Sequence, residues 1–209
     1  MMLSYKTLVV GELKTNCYLV WDKDKDCLII DPGDDSIEIS EEIRILGLSP
    51  KMIAATHGHF DHVLGVLDLK LIYQIPFYCS VKDKFLLDRC RETAKYYLER
   101  EIEVPDIGID EDLDRVEDIK IGQDELKIIK TPGHTPGGIC FYSQKDKLLF
   151  SGDTVFAGSS GDTTHKYSSA ADLDRSIRKW LLVLPDEVKI LPGHGEETAA
   201  EREKRRFKL

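Results

Sequence analysis

The chain alternates near-continuous apolar runs with segments of helical spacing. Residues 16–22 (NCYLVWD) and 27–31 (CLIID) are apolar runs of strand length, separated by a turn of Lys and Asp, and together they predict a hairpin. Pro32-Gly33 ends the second strand. From residue 36 the apolar positions Ile39, Ile43 and Leu46 share a helical face, with Ser36 as the expected cap and Gly47 as the left-handed stop. Residues 51–56 (KMIAAT) predict a short strand and 62–75 a helix, with Asp61 and His62 at the junction. Residues 76–80 (PFYCS) predict another strand. From Asp83 to Arg100 the positions Leu87, Cys90, Ala94 and Tyr97/Leu98 recur at helical spacing. Residues 103–118 are acidic and irregular, and read as a solvated connecting loop.

The second half repeats the theme. Residues 125–131, 138–143, 147–152 and 188–193 are strand-like. Residues 173–184 are helical, with Ile177, Trp180, Leu181 and Leu184 on one face, and 196–207 predict a terminal helix. Two similar halves of alternating strands and helices point to an α/β class, two packed sheets with helices outside. No linker or low-complexity stretch divides the chain, so a single domain over residues 1–209 is expected.

Composition narrows the partners. The 209 residues carry a formal charge of −9 and a pI near 5.2, which argues against nucleic acid or an anionic membrane. The five cysteines are odd in number and widely spaced, so they read as reduced, buried thiols of a cytoplasmic protein. No apolar run approaches the ~20 residues of a membrane span, and the first residues lack a basic leader. A small-molecule substrate is the expected partner. Oligomeric state leaves no mark in the sequence.

The chemistry is concentrated in a few punctuated segments. Residues 55–65 (ATHGHFDHVLG) hold His57, His59, Asp61 and His62. Three further segments each place one metal-capable side chain just after an apolar run: TPGHTPGG with His134, FSGDTVF with Asp153 and LPGHGEE with His194. Five of the six histidines lie in these segments, the exception being His165. In an extended stretch His57 and His59 face the same side and can share a metal, with His134 as a candidate third nitrogen. Asp61, His62 and His194 are candidates for a second metal, and Asp153 for a bridging carboxylate. Two divalent ions so placed share a hydroxide that is nucleophilic near neutral pH and polarise a substrate carbonyl. Imidazole and carboxylate donors suit zinc first, then iron or manganese.

This motif set resembles the metallo-β-lactamase superfamily, from TNCYLV to LPGHG, and TPGHTPGG and SGDTVFAGSSG are most similar to its glyoxalase II branch. The resemblance implies a four-layer αββα sandwich of two mixed β-sheets flanked by helices, with the site at the edge between the sheets. It implies one metal on His57, His59 and His134, a second on Asp61, His62 and His194, and Asp153 bridging. Asp31 matches a position close to the site, outside the ligand set. The function implied is hydrolysis of a small thioester or ester of the hydroxyacylglutathione kind, with Asp61 orienting the hydroxide. An iron-dependent persulfide dioxygenase is the alternative; nuclease and lactonase activities are further ones.

Two departures bear on the substrate. Asp162 stands where the branch usually carries a basic residue for the glutathione carboxylate. The chain also ends fifteen residues after His194, short of the branch's C-terminal helical region. Lys166, Arg175 and Arg178 are candidate replacement cations, and His165, Tyr167, Ser159 and Ser160 candidate substrate contacts.

Overall fold

The computed structural model of the protein describes residues 3–102 and 106–208. Strands β1 (Ser4–Val10), β2 (Thr15–Trp21), β3 (Asp26–Ile30), β4 (Ser49–Ala54), β5 (Phe77–Cys79) and β6 (Glu111–Asp112) form one six-stranded sheet in sequential order. The second sheet also has six strands and draws on the later part of the chain: β7 (Asp118–Ile121), β8 (Asp124–Lys130), β9 (Ile139–Ser143), β10 (Leu148–Gly152), β13 (Lys189–Pro192) and β14 (Thr198–Ala199). Its order is β14-β13-β10-β9-β8-β7. A small hairpin, β11 (Val155–Phe156) with β12 (Ser159–Ser160), stands apart. Both large sheets are mixed: β3, β4, β5 and β6 run parallel, as do β10 and β13.

Alternation explains why β2 and β3 read as continuous apolar runs. Cys17, Leu19, Cys27 and Ile29 pack outward against Ile39 and Ile43 of α1 (Ser36–Leu46), Val63 of α2 (Phe60–Val63) and Val66 and Leu69 of α3 (Val66–Tyr73). Tyr18, Val20, Leu28 and Ile30 face the other way, onto Phe141, Phe150 and Leu191 of the second sheet. Strands buried on both faces have no polar side to show. Beyond the second sheet, Cys140, Tyr142 and Leu149 pack against Leu173, Ile177 and Leu181 of α6 (Ala170–Leu181), with Ala200 of α7 (Ala200–Phe207) alongside. The four layers are the αββα sandwich that the sequence motifs implied.

Several local expectations change. The N-terminal strand β1 carries no strong periodic signal, because Leu8, Val9 and Val10 crowd at its end, and β7 alternates but is only four residues long. The helix expected over 62–75 is two helices, starting at Phe60 and broken at Leu64–Gly65. There Gly65 N donates to Pro32 O at 2.9 Å, and a Cβ would come within 3.0 Å of that oxygen, so the chain turns against the first sheet. The helix expected from Asp83 to Arg100 splits into a 3₁₀ turn (Val81–Asp83), α4 (Lys84–Leu87) and α5 (Cys90–Leu98). Ser36 is not the cap of α1: Asp35 occupies that position in the left-handed conformation, and Ser36 Oγ donates to Asp68 Oδ2 of α3. Helix α6 starts three residues earlier than expected, at Ala170, because Ser169 Oγ accepts from Asp172 N. The terminal helix begins at Ala200, after β14.

Of the acidic segment, residues 103–105 lie outside the described residues. The rest is not simply a solvated loop, since Ile107 and Leu113 are buried and β6 pairs with β5. All five cysteines are free and buried, as expected. Among the described residues no helix is long and apolar enough to cross a membrane.

Phe150 is fully buried where the sheets meet, with its ring edge-on to Tyr18 (5.1 Å between centroids) and Tyr5 (6.2 Å). Phe150→Ala is expected to cost about 3–5 kcal/mol in chemical denaturation, and a loss below about 1 kcal/mol would contradict this account of the inter-sheet core.

Candidate metal centre

The parallel strands bring their carboxyl ends to one edge of the sandwich, the usual place for a ligand in an open α/β sheet. Asp31 follows β3, His57 follows β4, Asp83 follows β5, Asp153 follows β10 and His194 follows β13. His134 joins them from the turn between β8 and β9. The turn carrying His194 is stitched to the first sheet by Asn16, whose Nδ2 donates to Pro192 O and Gly195 O, each at 2.9 Å.

The structure brings all seven sequence-identified residues into one cluster, as three overlapping groups: His57, His59 and His134; His57, His62 and Asp153; Asp61, His62 and His194. His59 Nδ1 is 2.9 Å from His57 Nε2 and 3.0 Å from His134 Nε2. His62 Nε2 is 3.3 Å from His194 Nε2 and 3.7 Å from Asp61 Oδ2, and His194 Nε2 is 3.2 Å from Asp61 Oδ2. Asp153 sits between, with Oδ2 3.5 Å from His134 Nε2 and Oδ1 3.5 Å from His62 Nε2.

The outward ring nitrogens show why these particular atoms face inward. Asp31, buried and with φ of 51°, accepts from Thr56 N at 2.6 Å and Thr56 Oγ1 at 2.7 Å. The threonine proton is thereby committed, so its oxygen accepts from His57 Nδ1 at 3.1 Å. His134 Nδ1 donates to Asp162 O at 2.7 Å, and His194 Nδ1 to Leu13 O at 3.1 Å. His62 Nδ1 lies 3.0 Å from Asp31 Oδ2, an ion-pair contact whose N–H points off the oxygen. Each of these partners leaves an Nε2 to face the cluster.

Charge divides the cluster in two. Burial, reinforced by His62, His59 and His134, holds His57 well below the ordinary imidazole range. Burial and His134 push His59 down to about 3. His62 behaves oppositely: burial is outweighed by Asp31, Asp153 and Asp61, which lift it to about 10. Burial at His194 is likewise outweighed by Asp61 and Asp153. Burial opposes ionisation of Asp61, yet His62 and His194 hold its carboxyl well below the usual range. At Asp153 burial wins over the surrounding histidines and raises it.

The donor set fits divalent metal. Ligand atoms about 2.0–2.1 Å from a tetrahedral zinc are about 3.4 Å apart. The separations of 3.2–3.7 Å among Asp61, His62 and His194 already match that figure, and the three-histidine group needs only a small opening from 2.9–3.0 Å. Asp153 Oδ1 is buried and accepts no hydrogen bond, a deficit that a cation would relieve. Space around it is kept by Gly193, where any Cβ would collide with Asp153 Oδ1 and lie 2.7 Å from His62 Cε1.

The sequence did not single out Asp83. It is fully buried and joins two ligand-bearing segments: Oδ2 accepts from Gly58 N (3.0 Å) and Thr135 Oγ1 (2.7 Å), and Oδ1 from Gly137 N (2.7 Å). Burial raises its carboxyl. A lone Asp opening a helical pattern gives no signal for this role. Thr15, whose Oγ1 donates to Asp61 Oδ2 at 3.3 Å, was equally silent.

The candidate substrate contacts divide. His165 and Tyr167 stack on each other 5.1 Å apart and both lie against His59. Lys166 is exposed. Arg175 pairs with Asp172 and Arg178 with Asp174, so neither is a free cation. Ser159 and Ser160 form β12. The carboxylate of Asp162 is turned into its own loop, where it accepts from Thr164 N and Oγ1.

A family model described as the Metallo-beta-lactamase superfamily matches residues 10–194. The chain is similar to hydroxyacylglutathione hydrolase GloC of Haemophilus influenzae, with 34% identity over 97% of this chain and 96% of that protein. Its structure is similar to the BLEG-1 B3 metallo-beta-lactamase, with a TM-score of 0.90, 31% identity and 97% of each chain covered. It is also similar to TTHA1623 in a di-iron-bound form, with a TM-score of 0.86, 30% identity, and 96% and 98% covered.

The two halves of the cluster should differ in proton release. His57 and His59 are held neutral, each with one ring nitrogen free for a metal, whereas the acids around His62 favour its doubly protonated form, whose inward proton a metal must displace. Filling the Asp61–His62–His194 group is therefore expected to release at least one proton at pH 7 and to weaken as pH falls. Calorimetric titration of metal-free protein in buffers of differing ionisation heat reads this directly. Proton-neutral binding of both ions would contradict it.

Proposed function

The chain belongs to the metallo-β-lactamase superfamily, and from that membership we propose that it is a two-metal hydrolase of small thioesters or esters, similar in reaction to hydroxyacylglutathione hydrolase. The observation that carries the reading is the convergence of seven N and O donors at one sheet edge, enough for two ions. In this reading His57, His59 and His134 hold one ion, Asp61, His62 and His194 the other, and Asp153 lies between them. Zinc is the first choice for a donor set without thiolate, with iron or manganese next; the di-iron form of the similar TTHA1623 keeps iron in view.

Bound ions would supply Lewis acidity for the substrate carbonyl and a hydroxide near neutral pH. The chain's own residues do the rest. Asp61 is held ionised by His62 and His194 and anchored by Thr15, so it accepts a hydrogen bond from the attacking water and fixes its direction. Asp31 and Asp83, both buried, keep the histidine-bearing segments in place. The leaving thiol, with an ordinary pKa of about 8.5, departs as thiolate without a strong general acid. His165, Tyr167 and Phe85 make a ring-to-ring wall beside His59 on which a substrate can lie. The carboxylate of Asp162 offers no grip for an anionic tail, which favours small or uncharged thioesters over a glutathione ester. A donor set for two ions favours hydrolysis over the one-iron oxidative alternative. The acidic surface supports a small-molecule substrate, in one soluble cytoplasmic domain.

Thiol release should therefore appear with metal-loaded protein and vanish on chelation. Asp61→Ala is expected to lower kcat by about 10²-fold or more. Release from small thioesters together with S-lactoylglutathione would support the glutathione form of the reading. Release from small thioesters alone would keep the hydrolase and move its substrate. No release from any ester or thioester by the two-metal protein would overturn the proposal.

A further inference from the structure

Four of the five clustered histidines set their outward nitrogen beside a group that can only accept: a backbone carbonyl for His134 and His194, the already committed Thr56 hydroxyl for His57, and, as an ion-pair contact out of hydrogen-bond alignment, the Asp31 carboxylate for His62. His59 is the exception in two ways. It turns Nδ1 rather than Nε2 inward, and its outward Nε2 meets a phenol, Tyr167 Oη, at 2.9 Å. A phenol can donate or accept. If Tyr167 donated, His59 would carry its proton on Nδ1, between His57 Nε2 and His134 Nε2, where no cation could then sit. If Tyr167 accepts, the Nδ1 lone pair points into the three-histidine group.

Resting on the metal-binding reading above, we propose that Tyr167 is a positioning residue that accepts the His59 Nε2 proton and so aims the His59 Nδ1 lone pair at the ion of the three-histidine group. The ring is held for this task. It stacks on His165 at 5.1 Å with 9° between planes, and meets Phe85 edge-on at 5.3 Å. The loop that carries it, residues 161–169, grips His134 as well. Asp162 O accepts from His134 Nδ1 at 2.7 Å, and Ser168 Oγ donates to His134 O at 2.7 Å. One surface loop thus fixes the orientation of two of the three histidines, and Tyr167 is its link to His59. A tyrosine acting at this distance from the centre needs no contact with substrate.

The test compares Tyr167→Phe, which keeps the ring and loses the hydroxyl, with Tyr167→Ala. Zinc affinity is read by competition with a chromophoric chelator, and ligand geometry by the visible spectrum of the cobalt-substituted protein. Both variants are expected to bind the ion of the three-histidine group about 10–100-fold more weakly, with altered cobalt bands and little change in the thermal midpoint of the metal-free protein. Tyr167→Phe with wild-type affinity and spectrum would overturn the proposal, whether or not KM changes. Loss confined to Tyr167→Ala would overturn it too, since ring packing would then be responsible. Neither readout uses substrate, so absence of thioesterase activity leaves this test standing, whereas wild-type protein that takes up no zinc or cobalt would sink both readings.

Discussion

Five imidazole rings are turned so that a nitrogen of each faces a common centre, and His59 Nδ1 stands within hydrogen-bond distance of both His57 Nε2 and His134 Nε2. With the outward nitrogen of His57 donating to Thr56 and that of His134 to Asp162 O, their inward atoms are lone pairs. With His59 Nδ1 also unprotonated, as proposed above, three lone pairs crowd together and repel, and burial denies them water. Positive charge at the centre satisfies them together with the undonated Asp153 Oδ1. The fold around the cluster serves this constraint: it holds donors in place that, left to themselves, would separate.

The sandwich supplies that rigidity because its central strands β2, β3, β9 and β10 are buried on both faces. Parallel strands β3, β4 and β5 deliver Asp31, His57 and Asp83 at one edge, while β10 and β13 deliver Asp153 and His194 from the facing sheet. Buried acids then lock the turns. Asp31 fixes Thr56 and approaches His62; Asp83 ties Gly58 to Thr135 and Gly137. The same logic reaches further out at Glu203 of α7, which is fully buried and accepts from Gly158 N and Thr198 Oγ1, anchoring the β11–β12 hairpin beside the site. Ordering these groups during folding is what leaves the centre preorganised.

Much of this was legible in the chain. Strands with both faces buried betray themselves as unbroken apolar runs, so β2, β3, β9 and β10 stood out, as did the candidate donors, each just after such a run or beside a Gly/Pro turn. What stayed hidden depends on three-dimensional approach. The break between α2 and α3 comes from Gly65 backing onto Pro32, a contact 33 residues distant in sequence. Asp83 looked like an ordinary first-turn acid until folding placed three donors around its oxygens. Tyr167 lies 108 residues from His59, and nothing in the local pattern joins them. The position of Asp162 marked a departure in the side chain, whereas its backbone carbonyl turned out to serve His134.

We propose that one cluster of seven side chains holds two ions. Elemental analysis of protein purified without a metal-affinity tag, saturated with zinc and freed of unbound metal, tests it most directly. Two zinc ions per chain are expected, with the second lost in Asp61→Ala. No bound zinc after reconstitution, or two ions retained in a variant lacking both His57 and His59, would contradict it.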